Sequence, residues 1–149
     1  MTKEALQLDN QLCFRAYTAS RLTIRLYKPI LDKLKLTYPQ YVTMLVLWEE
    51  KEIGFRELGS KLHMKTGTLT PLIQRLEKLD YLKKIKDPND DRKAIVVLTE
   101  TGQGLLPIAS EIPTMLAESL GLTKEEYFEY AKTMDALLDK LYIANNIKL

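Results

Sequence analysis

The sequence predicts a mainly α protein with one small β-hairpin. Three observations carry that fold class. Apolar residues recur at helical spacing near both ends of the chain, two strand-like runs occur close together, and the linker between those runs contains Pro and Asn. The 149 residues are 46% hydrophobic and 28% charged, with six Gly and six Pro, which suits one globular domain and excludes collagen-like, low-complexity and disordered classes. A single cysteine, Cys13, excludes an intrachain disulfide framework and any Cys-cluster zinc site. The single histidine, His63, removes most His-based metal sites, so neither metal nor cofactor is expected. A polar start without an apolar leader, and no apolar run long enough to span a bilayer, point to a cytoplasmic chain with no membrane partner.

From about Leu8 to Leu34 a stripe of Cys13, Tyr17, Ser20, Ile24, Tyr27, Leu31 and Leu34, spaced alternately four and three, predicts one face of a long helix. Pro29 lacks a donor and opposes the carbonyl of Arg25, so a kink or restart is expected near Lys28. Thr37 is an N-cap candidate with Pro39 in the first turn, ahead of a buried helix through Tyr41 and Trp48. Beyond a turn at Lys51-Glu-Ile-Gly54, Phe55, Leu58 and Leu62 mark a short helix. After the break at Met64-Lys-Thr-Gly67 a second helix begins at Thr66 or Thr68. Thr68 is favoured because it keeps Pro71 in the first turn. Leu69, Leu72, Ile73, Leu76 and Leu79 form its apolar face, and Thr70, Pro71, Gln74 and Lys78 point outward, with Thr68 and Arg75 on the flank.

The strand-like runs Tyr81–Lys86 and Ala94–Leu98 follow, joined by Asp87-Pro-Asn-Asp-Asp-Arg92. Thr99 caps a helix interrupted at Pro107 and Pro113 and ended by Gly121, and Thr123-Lys-Glu-Glu126 is a capping box for the last helix. Short helix, tight turn, second helix and hairpin together describe a winged helix-turn-helix spanning 37–99. The helices of 1–36 and 100–149 carry apolar stripes that ask for a partner, most simply a second copy of the chain.

Net charge is only +2. Divided along the chain it is uneven: residues 56–93 hold ten Lys/Arg against six Asp/Glu, and residues 94–149 hold four against eight. A basic centre faces polyanions. The outward face of the second helix would read a major groove of double-stranded DNA, with Gln74 suited to adenine, Arg75 to guanine and Thr68 and Thr70 to a phosphate or a thymine methyl. Thr66 opens the same helix. Lys65 and Lys78 would serve phosphates, and Arg92, oriented by Asp90, would enter a minor groove. Each of these residues alone also fits an ordinary solvated face; their ordered combination favours DNA.

Asp90-Asp-Arg92 and Leu98-Thr-Glu-Thr-Gly102 resemble the multiple antibiotic resistance regulator (MarR) family. Leu8-Asp-Asn-Gln-Leu-Cys13-Phe, Tyr27-Lys-Pro29, Thr37-Tyr-Pro-Gln-Tyr41 and Thr66-Gly-Thr-Leu-Thr-Pro71 are similar to the organic hydroperoxide resistance regulators within it. The resemblance spans nearly the whole chain. It implies a homodimeric, non-enzymatic repressor released from a pseudo-palindromic operator when one N-terminal cysteine is oxidised by an organic hydroperoxide and capped by a low-molecular-weight thiol. Cys13 takes that role, and Tyr27 and Tyr38 match the tyrosines that contact the sulfur. Lys65 departs from the pattern, which commonly has Asp there.

Tyr17 lies one helical turn from Cys13. Phenolic hydroxyls directed at a thiolate stabilise the form that attacks a peroxide. Cys13 and Tyr27, fourteen residues apart, would be separated by about 21 Å along one helix, so their contact requires a second subunit or a sharp bend. Three alternatives stand beside this mechanism. One is a repressor released by a phenolic or lipophilic ligand, with Cys13 structural; another is a thiol peroxidase, for which no Thr-x-x-Cys pattern precedes Cys13; the third is a helix-bundle interaction protein.

Overall fold

The computed structural model describes residues 3–147, arranged as two compact units divided between Ile112 and Pro113. In the first unit, 3-10 turns at Lys3–Leu6 and Leu8–Asn10 precede helix α1 (Leu12–Lys33). The predicted helix therefore begins four residues later than Leu8. It does not restart near Lys28: α1 continues through Pro29. Arg25 and Pro29 both lie on an exposed stretch of the helix, where a missing hydrogen bond costs least, and the helix forgoes one bond instead of breaking.

Helix α2 (Tyr38–Glu50) follows its N-cap Thr37, whose N–H donates to Gln40 Oε1 at 2.8 Å. The segment read as a turn contains a short strand, β1 (Glu52–Gly54), whose Glu52 and Ile53 lie opposite Val97 and Val96 of β3 (Asp90–Leu98). With β2 (Leu82–Asp87) the sheet has the antiparallel order β1-β3-β2. The expected hairpin is thus two strands of a three-stranded sheet. Helix α3 (Phe55–Lys61) and helix α4 (Thr66–Lys78) form the helix-turn-helix.

Helix α4 starts at Thr66, not at the favoured Thr68. The N–H groups of Thr68 and Leu69 both close on the Lys65 carbonyl at 3.0 Å, which makes Lys65 the N-cap and moves Pro71 into the second turn. Gly67 and Pro71 are exposed, so the carbonyl left without its i+4 donor again meets solvent.

Leu31, Leu34, Met44, Leu47, Leu58, Leu69, Ile73, Leu76, Leu82 and Val96 are at most 2% exposed and form the core beneath these elements. Tyr81 joins three of them. Its hydroxyl donates to the Leu34 carbonyl (2.9 Å), its N–H to the Leu76 carbonyl (3.1 Å), and its own carbonyl accepts from Thr99 N–H (3.2 Å). Thr99 caps the short helix α5 (Glu100–Gln103), accepting from Gly102 N–H at 3.0 Å while its hydroxyl donates to the Asp80 carbonyl. A Cβ on Gly102 would lie 2.0 Å from the Tyr81 carbonyl oxygen, so only glycine permits this approach. Trp48 Nε1–H donates to the Gly102 carbonyl at 2.9 Å, closing the corner. Helix α6 (Leu106–Ala109) and the start of α7 (Ile112–Leu120) realise the interruptions expected at Pro107 and Pro113.

The second unit holds the rest of α7 and α8 (Lys124–Ala144). Gly121 stands between them at φ +63°, a conformation that costs glycine little. Thr123 and Glu126 form the predicted capping box, each side chain accepting from the other's backbone N–H at 3.1 and 2.8 Å. The carboxyl of Glu126 is held below its ordinary range by that hydrogen bond. No residue of α8 is buried, and Tyr127, Phe128, Tyr130, Met134, Leu138 and Leu141 are all exposed along it.

Candidate nucleic-acid interface and thiol site

Helix α4 turns Leu69, Leu72, Ile73 and Leu76 into the core. That rotation leaves Lys65, Thr66, Thr68, Gln74, Arg75 and Lys78 exposed, with Thr70 half-buried at the edge. The side chains of Gln74, Arg75 and Lys78 form no hydrogen bond or ion pair among the described residues, so their donors are available to an incoming ligand. The helix is docked at its C-terminal end by Glu77, whose Oε1 accepts the backbone N–H of Lys84 in β2 at 2.8 Å.

The hairpin turns tightly at Pro88-Asn89, and Asp87 Oδ1 caps the turn by accepting Asn89 N–H at 2.8 Å. Pairing steps directly from Lys86–Ala94 to Asp87–Asp90, so Asp91, Arg92 and Lys93 have no residue opposite them and bulge from the tip. The Asp90 carboxylate takes Arg92 as a fork, with Nε at 3.0 Å and Nη2 at 3.2 Å, and also accepts the Arg92 N–H at 3.1 Å. These bonds hold the Asp90 carboxyl below the usual carboxylate range and push the guanidinium up. The Arg92 side chain is 89% exposed, so the fork holds a solvent-facing cation on the bulge beside the hairpin turn. Lys93 on the same bulge was not singled out from the sequence; its signal was the surplus of residues between two strands that a two-residue turn could join.

Cys13 is exposed in the first turn of α1. Tyr17 is also exposed and carries the Arg21 guanidinium 5.2 Å from its ring centre. At the other end of the helix Tyr27 meets Tyr38 (ring centroids 5.1 Å) and Tyr41 (5.6 Å), and Tyr41 meets Trp48 (6.3 Å). Tyr27 and Tyr38 are therefore brought together, at the far end of an unbroken helix from Cys13. Tyr41, at the end of the Thr37–Tyr41 motif, joins them as a buried member that the sequence pattern does not single out, and its hydroxyl pKa is pushed up by burial and by the neighbouring Tyr38.

An exposed helix face beside a projecting, Arg-tipped hairpin defines a winged helix-turn-helix transcriptional regulator of the DNA-binding class. Residues 25–107 match the family model Transcriptional regulator SarA/Rot, and the chain belongs to that family of MarR-type regulators. It is 37% identical to the organic hydroperoxide resistance transcriptional regulator of Bacillus subtilis, across 94% of this chain and 95% of that one. It is 31% identical to the regulator MgrA of Staphylococcus aureus, across 90% and 89%. Reduced AbfR bound to DNA superposes with a TM-score of 0.81 at 34% identity, covering 97% of this chain and 99% of that chain. MarR itself shares the fold, with a TM-score of 0.73 at 23% identity over 87% of this chain and 96% of that chain. Like these relatives the chain is a transcriptional regulator and not an enzyme. No helix among the described residues is long and apolar enough to cross a membrane.

Proposed function

We infer that the chain is a homodimeric repressor that holds a pseudo-palindromic duplex through α4 and the wing and releases it when Cys13 is oxidised. The observation carrying this reading is the separation of the one thiol from the tyrosines its role requires. Cys13 and Tyr27 stand about 21 Å apart on a helix that does not bend back, so only a second copy, packed antiparallel, brings a tyrosine pair to each sulfur. The exposed Leu12, Tyr17, Leu22, Ile24 and Leu26 of α1 supply apolar surface for that packing, and the exposed apolar residues along α8 are a second face for a partner copy. On this reading the helices of 1–36 and 100–149 serve dimerisation and the winged segment 37–99 serves DNA binding.

The Cys13 thiolate attacks the distal oxygen of an organic hydroperoxide; the O–O bond breaks, the sulfur becomes a sulfenic acid, and the alkoxide leaves as an alcohol after taking a proton. A low-molecular-weight thiol then attacks that sulfur, forming a mixed disulfide and releasing water. The adduct's bulk between the subunits changes the spacing of the two α4 helices, which must match half-sites about 34–36 Å apart. Titrating cumene hydroperoxide and hydrogen peroxide against the protein–duplex complex, with the intact mass of Cys13 followed in parallel, tests the sequence of events. Release without a mass change at Cys13 defeats it.

A second reading draws on a groove of about 490 Å³ along α1 and the α1–α2 connection, where Leu22, Ile24, Leu31 and Leu36 lie beside Arg21 and Arg25. Such a groove suits a phenolic or lipophilic effector. Cys13→Ser separates the two: peroxide-driven release disappears if the thiol is the trigger and persists if the groove is.

A further inference from the structure

Between α3 and the hairpin lies a cleft of about 630 Å³ whose Arg56, Lys84 and Lys93 none of the preceding assignments uses. One wall is the start of α3, with Phe55 and Arg56; the other is the hairpin, with Lys84, Lys93 and Ile95. Its charges are unequally cancelled. Arg92, at the rim, is already forked to Asp90, and Lys93 approaches the same carboxylate only at 4.0 Å. Lys84 sits with Nζ 4.0 Å from the Phe55 ring centre, which fixes its position without neutralising it. The Arg56 side chain has no partner among the described residues. Of the two carboxylates in the lining, Asp87 caps the hairpin turn and Glu57 acts partly on Lys61. Cations over apolar walls focus field into a cleft.

Its place in the fold selects the anion. A protein that puts one element in a major groove and its neighbour in the adjacent minor groove must straddle the sugar-phosphate strand dividing the two. Helix α4 and the wing are such neighbours, tied by the Glu77–Lys84 bond, and the cleft runs from Lys84 beside that tie toward the bulge at Arg92 and Lys93. We propose that this cleft seats a backbone phosphodiester of the bound duplex, with Arg56 and Lys93 closing on it from opposite walls and Lys84 as the fixed charge between them. The assignment rests on the DNA-binding reading above and adds a sequence-independent anchor to it.

The test measures duplex affinity of the full-length protein by fluorescence anisotropy across a salt series, for wild type, Arg56→Gln and Lys93→Gln. Both positions are exposed, so melting curves should coincide. Each variant is expected to lower the steepness of log K against log salt by about 0.9 and to weaken binding about fivefold near 0.15 M salt, equally for all duplex sequences. An unchanged slope in both variants overturns the proposal. So does saturable binding of inorganic phosphate to the free protein at constant ionic strength, abolished by Arg56→Gln, when the duplex slope is unchanged. Lys65→Gln and Lys78→Gln keep the two levels apart: if they lower the slope while Arg56→Gln and Lys93→Gln do not, only the cleft assignment fails. If wild type binds no duplex, the DNA-binding reading falls with it.

Discussion

Replacing Gly102 with Ala puts a methyl where the fold has no room. The added carbon would lie 2.0 Å from the Tyr81 carbonyl oxygen and 2.9 Å from a Leu98 methyl, against an ordinary contact of about 3.5 Å. The obstruction is backbone, so the corner must open by more than an ångström. Opening it strains the bond from Thr99 N–H to Tyr81, the Thr99 cap on Gly102 N–H and the Trp48 indole bond to the Gly102 carbonyl. Overpacking costs about 1–3 kcal/mol, a lost cap about 1 and a lost buried hydrogen bond about 1, so a loss of roughly 3–5 kcal/mol follows. Urea denaturation followed by circular dichroism measures it, and the melting temperature should fall by about 10 °C. Gly67→Ala is the matched comparison. Its Cβ would meet nothing within 4 Å, and in a helix Ala gains about 0.5–1 kcal/mol over Gly. A Gly102→Ala protein within 1 kcal/mol of wild type, or a Gly67→Ala protein as damaged as Gly102→Ala, would refute the close-approach argument.

Leu76→Ala, at a fully buried position where α4 meets the core, should cost about 2–5 kcal/mol in the same denaturation assay. Gln74→Ala, exposed and unpaired, should leave stability unchanged and remove about 1–3 kcal/mol of discrimination at one base pair, read by competition among duplexes substituted position by position. Because Arg92 holds the Asp90 carboxyl below its ordinary value, the fork persists through neutral pH and is lost only as pH falls through that depressed value. The Arg92 Nε–H resonance should therefore stay constant down to about pH 4 and change below it; a midpoint above pH 4 contradicts the fork.

Features set by neighbours a few residues apart were legible in the sequence. Thr99 with Gly102, Thr123 with Glu126 and Asp90 with Arg92 each form their contact within three residues, and each stands where its spacing placed it. Strand β1 was not legible. Three residues carry no periodicity, and Glu52–Gly54 is a strand only because Ile95–Val97, more than forty positions away, lies alongside. The start of α1, and the choice between Thr66 and Thr68 as the start of α4, are not legible for a related reason. Local rules for Leu8 and Pro71 could not show that the Gln11–Leu12 step begins α1 or that an exposed carbonyl frees α4 to pass through a proline. The cleft between α3 and the wing is illegible in the sequence because Arg56 and Lys93, far apart along the chain, come to line one cavity only once the sheet has formed.

The Tyr81 hydroxyl, bonded to the last turn of α1 from the root of β2, makes the wing a lever. Its six-residue strand is about 20 Å long. A tilt of α1 carried through that joint by 10° would sweep the Arg92 tip through about 3.5 Å, more than half the width of a minor groove roughly 6 Å across. With Arg92 seated in a minor groove, as the DNA-binding reading has it, a rotation too small to disturb the core at its pivot would be enough to carry the guanidinium out.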